Sequence, residues 1–154
     1  TMTDPDTYIK SRTDAVRIYI HKYNISIKSN PVTNSAIVYK IISPNSDITM
    51  KKADEVYQKF VKYYRHKIPV EGEPYHEWSR RVLKYITKFQ RENEYLDKDM
   101  GELFGMHYSV YNRIKVVGNA RGRNLWRMLN IVLDHKRKHR PKYMSQLSYW
   151  RHQS

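Results

Sequence analysis

A chain of 154 residues with 40% apolar content is long enough for one ordinary domain or two very small ones. Its net charge of +14 excludes a neutral or acidic surface and points to a polyanionic partner. The absence of cysteine excludes disulfides and thiolate-bound zinc. No apolar run approaches the roughly 18–20 residues of a membrane span, and the first residues do not resemble a signal peptide. A soluble cytoplasmic protein without membrane contact is therefore expected.

Taken in chain order, residues 7–25 are predicted to form a helix, with Ala15, Val16, Tyr19 and Tyr23 among polar positions. Pro31 then disfavours helical geometry at Asn30. Thr33 or Asn34 can cap a helix through Val38, Ile41 and Ile42, although Ile37–Ile42 also suits a short strand. After the turn-rich 43–47, Asp47 or Thr49 opens an amphipathic helix with Ala53, Val56, Tyr57, Phe60, Val61 and Tyr64 on one face. Residues 68–74, with two prolines and a glycine, read as a linker.

Beyond it, Trp78, Val82, Tyr85, Ile86 and Phe89 recur at helical spacing. Two short amphipathic segments follow, broken by Gly105, with Met100, Leu103 and Phe104 before the break and Tyr111, Ile114 and Val117 after it. Glycine suits a residue just past a helix end, where a left-handed conformation is needed. Asn124 can cap a last helix with the stripe Leu125, Met128, Leu129 and Val132. The expected fold class is all-α, a helix-turn-helix bundle built as two small tandem helical modules. Residues 1–67 form the N-terminal module, 68–74 the linker, 75–140 the helix-turn-helix module and 141–154 a basic, aromatic tail.

Charge favours the second half as the binding surface. Residues 1–74 hold 12 Lys/Arg against 8 Asp/Glu, whereas residues 75–154 hold 17 against 7. After Gly105 the polar face carries His107, Tyr108, Ser109, Asn112 and Arg113, side chains able to reach base edges. Lys115, Arg121, Arg123, Lys136, Arg137, Lys138, Arg140 and Lys142 are candidate phosphate contacts.

Over roughly residues 78–133 the sequence resembles the lambda-repressor and Cro-like family of helix-turn-helix proteins, common in phage and mobile-element regulators. Leu103-Phe104-Gly105-Met106 carries the end of the scaffolding helix and its turn, Ser109–Ile114 the start of the recognition helix, and Leu125, Met128, Leu129 and Val132 the next helix. The resemblance implies a regulator that reads double-stranded DNA in the major groove, commonly as a homodimer. Two positions depart from the pattern: Gly101 stands where the family favours alanine, and Tyr111 where it favours an aliphatic residue. The stretch Val32–Ile41 is similar to Met106–Ile114, with Ser35 set against Ser109, which makes Thr33, Asn34, Ser35 and Lys40 a candidate second reader.

Two other readings stay open. Tyrosines interleaved with basic residues, as in Tyr63-Tyr64-Arg65-His66, suit RNA or single-stranded nucleic acid. The tail residues Tyr149 and Trp150 suit docking on a protein, such as a host transcription protein like RNA polymerase. No cofactor, metal site or enzymatic activity is expected. His135 and His139 share a helical spacing but lie in a cationic run that repels a metal ion.

Overall fold

The computed structural model describes residues 3–43, 47–118 and 120–139, and among these it contains seven helices and no strand. Helix α1 spans Pro5–Lys22. It starts earlier than the apolar pattern suggests because Asp4 caps it, accepting a hydrogen bond from the Thr7 N–H at 3.1 Å, and Pro5 supplies a first residue that needs no donor. It ends before residue 25 because Asn24 turns left-handed at φ 49° and Ile25 N–H closes onto the Ile20 carbonyl at 3.0 Å.

Helix α2 spans Ser35–Ile42, so the Ile37–Ile42 run is helical and not a strand. The Asn34 side chain accepts from Ile37 N–H at 3.0 Å, and Val38 and Ile41, three residues apart, are the buried pair. Helix α3 spans Met50–Tyr64, capped by Thr49, and buries Ala53, Val56, Tyr57 and Phe60. Helix α4 spans Tyr75–Glu92, α5 Asp97–Phe104, α6 Tyr108–Val117 and α7 Gly122–Lys138. Helix α7 begins two residues before the expected cap: Arg121 holds the N-cap position, and Asn124 lies in the first turn, accepting from Arg127 Nε at 3.2 Å.

Helices pack as α1 on α3, α4 on α7 and α5 on α6. One core gathers Val16, Tyr19, Ile41, Val56 and Phe60; the other gathers Trp78, Val82, Phe89, Phe104, Tyr111 and Leu129. Tyr8 of α1 and Met50 of α3 belong to the second core, so the halves interlock.

Residues 68–74, expected as a linker, are pinned. The fully buried Arg12 guanidinium donates to Asp54 Oδ1 at 2.9 Å, to Glu73 O at 2.7 Å, to Gly72 O at 3.2 Å and to Glu71 O. It also lies 3.5 Å from the centroid of the Tyr8 ring. Asp54 Oδ2 accepts from the Tyr75 N–H at 3.1 Å, which fastens the start of α4 to α3. Tyr57 Oη donates to the Ile68 carbonyl. A buried charge is tolerated only when it is paired and its donors are satisfied, and Arg12 meets both conditions with backbone carbonyls of the connecting segment.

The two halves repeat one plan. Tyr8, Val16 and Tyr19 of α1 occupy the places of Trp78, Ile86 and Phe89 of α4, seventy positions later, and all six are buried. Both helices stop in the same way: Glu94 turns left-handed at φ 55° and Tyr95 N–H closes onto Gln90 O at 3.0 Å. Ala53, Val56, Tyr57 and Phe60 of α3 likewise match Leu125, Met128, Leu129 and Val132 of α7. Between them, Val38 and Ile41 match Tyr111 and Ile114, which sets Asn34 against His107, so the Ser35–Ser109 register expected from the sequence is off by one residue.

Candidate nucleic-acid interface

Helix α5 ends where its backbone must reverse. Gly105 takes φ 67°, its N–H bonds to Glu102 O at 3.3 Å, and Met106 N–H bonds to Gly101 O at 2.9 Å. No atom lies within 4 Å of where a Gly105 Cβ would stand, so the constraint there is conformational. Gly101 is constrained by space: an added Cβ would stand 2.7 Å from the Met106 carbonyl oxygen and 3.2 Å from Tyr108 N. The turn and the start of α6 therefore lie directly on α5. Arg127 of α7 completes the seam by donating to Phe104 O at 2.9 Å.

Helix α6 buries Tyr111 and Ile114 and exposes most of the rest. Val117, expected in the core, is 68% exposed because α6 stops at Gly118 (φ 71°) before another turn can pack. His107 holds the N-cap position. Its Nδ1 lies 3.2 Å from the Ser109 amide, which donates to it, and 2.7 Å from Ser109 Oγ. Tyr108 is 53% exposed with its ring 4.4 Å from that of His107. Arg113 is exposed and, among the described residues, has no ion-pair partner. Val110, also exposed on this helix, falls outside a pattern of polar residues, although apolar side chains contact thymine methyl groups in DNA readers.

A polar network backs α6, and no spacing in the sequence announces it. Buried Gln90 accepts from Tyr111 Oη at 2.6 Å and donates to Asp97 Oδ1 at 2.9 Å and to Tyr95 O at 3.1 Å. Asp97 also accepts from Lys115 Nζ at 2.5 Å and from Asn112 Nδ2 at 2.9 Å. The Lys115 hydrogen bond, then those of Asn112 and Gln90, hold the Asp97 carboxyl down to about 2. Burial pushes the Tyr111 phenol well above its usual value. Asn112 and Lys115 thus have internal partners before any ligand arrives.

The remaining candidates are dispersed. Arg121 is exposed and unpaired among the described residues. Arg123 pairs with Asp6 at 2.7 Å, and Arg137 and Lys138 pair with Asp134 at 2.7 and 3.0 Å. Lys136 donates to Tyr85 Oη at 3.3 Å. The His135 and His139 rings stack 4.1 Å apart, and burial, followed by the neighbouring His139, lowers the His135 pKa. Arg140, Lys142, Tyr149 and Trp150 lie outside the described residues. In the candidate second reader, Asn34 is spent on capping α2, Thr33 N–H bonds to Asn30 Oδ1 at 2.8 Å, Ser35 is half-buried and Lys40 is exposed.

The geometry defines an all-α chain with a tightly seated helix-turn-helix in its second half. No protein-family model, curated protein or solved structure matches it.

Proposed function

We propose that this chain binds double-stranded DNA with α6 in the major groove and regulates transcription or a related DNA transaction. The observation that carries this reading is the seat of α6. A three-residue turn through Gly105 fixes it on α5, while His107, Tyr108, Ser109 and Arg113 stay exposed at its outer face. A helix held from behind and polar in front is what base reading requires. The net charge of +14 supplies the attraction to phosphate, and the likeness to lambda-repressor and Cro-like proteins points the same way.

In this reading Arg113 is the primary base contact, and Asn112 reads with the part of its amide that Asp97 leaves free. Arg121 and Lys136 serve phosphates. Selection of bound duplexes from a random pool tests it: an enriched motif is expected, and an unenriched pool refutes sequence reading. Arg113→Ala should cost about 1–3 kcal/mol on the selected site and relax its choice, whereas Lys136→Ala should weaken all duplexes alike and reduce the salt slope by about one unit.

A further inference from the structure

The cations around one cleft differ from their sequence neighbours in a way that net charge does not explain. Lys52 pairs with Glu55 at 3.7 Å and Arg81 pairs with Glu73 at 2.7 Å. The residues immediately before them, Lys51 and Arg80, are exposed and have no carboxylate partner among the described residues. Arg121 is unpaired in the same sense, while Arg123, two positions on, pairs with Asp6 at 2.7 Å. The three unpaired cations come from α3, α4 and the N-cap of α7, yet all three line a single open cleft of about 820 Å³.

We propose that this cleft is a phosphate-binding site that takes a chain of phosphate groups between Lys51, Arg80 and Arg121. His76 also lines it, as does Lys115, which is already paired with Asp97, and no carboxylate lines it among the described residues. Cations gathered around a cleft without counter-charge repel one another, and an oligoanion relieves that repulsion while making charge-assisted hydrogen bonds. The first turn of α7 lies at the rim without a side-chain cap, which adds the positive end of that helix to the side-chain charge, whereas the first amide of α4 is already taken by Asp54.

Tyr75 fixes the wall: its Oη donates to Ala120 O at 3.1 Å, and its N–H is held by Asp54. Val116 and Val117, 73% and 68% exposed, form an apolar side suited to a sugar face. The same chemistry serves the backbone of a nucleic acid or a free oligophosphate. In either case the site is distinct from the outer face of α6 and does not depend on base reading.

The test compares two double variants of the full chain that lose the same charge at adjacent positions: Lys51→Gln with Arg80→Gln, and Lys52→Gln with Arg81→Gln. Titration calorimetry with sodium tripolyphosphate should show the first pair weakened by about tenfold or more, the second by less than about twofold. Amide shifts in a nitrogen–proton NMR spectrum should fall on Gly118, Ala120 and Gly122. Equal losses in both pairs, or no binding to the unaltered chain, overturn the site. Arg113→Ala should leave tripolyphosphate binding intact, so the cleft and the reading by α6 fail separately. With a random-sequence duplex as second probe, the same split between the pairs identifies the backbone as the source. Equal duplex losses beside split tripolyphosphate losses identify a free oligophosphate.

Discussion

Asp97 ties α5 to α6, and its charge should make stability depend on pH in a defined window. The Asp97 carboxyl is held at about 2 in the folded chain against 3.8 for the free side chain. At about 1.36 kcal/mol per unit, that shift corresponds to about 2.5 kcal/mol of stability. The side chains of Asp97 and Lys115 are 24% and 26% exposed, so solvent screening trims the figure to about 2 kcal/mol. The folded pKa is depressed, so the contribution is fully present above about 4 and disappears as pH falls towards about 2.

Urea unfolding followed by far-ultraviolet circular dichroism, repeated from pH 7 down to pH 2, measures this for the unaltered chain and for Asp97→Asn. The difference between the two should be about 2 kcal/mol at neutral pH and shrink towards zero near pH 2. Taking the difference removes the other lowered carboxyls, Asp4 and Asp134, which titrate in both proteins. A gap that stays constant between pH 6 and pH 2.5, or a carboxyl that titrates near 4 by NMR, would refute the assignment of the network as a charged one.

The same substitution frees Lys115 and Asn112, so Asp97→Asn should bind random duplex more tightly and steepen the salt slope by about one unit, read by fluorescence anisotropy at several salt concentrations. Arg12→Ala should cost about 3–5 kcal/mol in chemical denaturation, because it leaves Asp54 buried without its ion-pair partner and takes a donor from three carbonyls, of which Glu71 O and Glu73 O keep only a hydroxyl from Ser11 and Tyr8. Arg12→Lys should recover little of this, since an ammonium cannot span the same fork of acceptors. Gly101→Ala gains about 1 kcal/mol of helix propensity but drives a Cβ into the Met106 carbonyl, a strain of about 1–3 kcal/mol, so its net effect on melting should be destabilising. Gly105→Ala meets no atom and should cost only the left-handed backbone, about 1–2 kcal/mol, with Gly105→Asn milder than Gly105→Ala.

Patterns that depend on local periodicity could be read directly from the chain. The stripe Trp78, Val82, Ile86 and Phe89 is buried throughout, Thr49 caps α3, and Gly105 turns left-handed at the end of α5. Features that depend on distant partners could not. Arg12 and Arg17 look alike in a helix of mixed polarity, and only Asp54 and the carbonyls of residues 71–73, about forty to sixty positions away, make Arg12 a buried hub while Arg17 stays half-exposed beside Asp14. Asp97 and Lys115 are likewise separated by the length of α5, a turn and most of α6. Residues 68–74 have the composition of a flexible linker, but composition does not record that their carbonyls are claimed by Arg12 and Tyr57.

The repeat shows why α6 and α2 are seated differently despite matching places in the plan. In the second half, helix α5 and the Gln90–Asp97 network stand behind α6, and Arg127 reaches across from α7 to close the seam. In the first half the corresponding stretch, residues 26–34, forms no helix; Asn30 and Asn34 hold the backbone there by accepting from Val32, Thr33 and Ile37 N–H groups. Those side chains are consumed in doing so, and α2, at eight residues, packs on α1 without a scaffolding partner. The first half instead departs from the plan at Arg12, which stands where α4 has Val82 and fastens the segment joining the halves. The divergence gives the halves different structures: the first locks the joint, and the second holds α6 from behind with its outer polar face exposed.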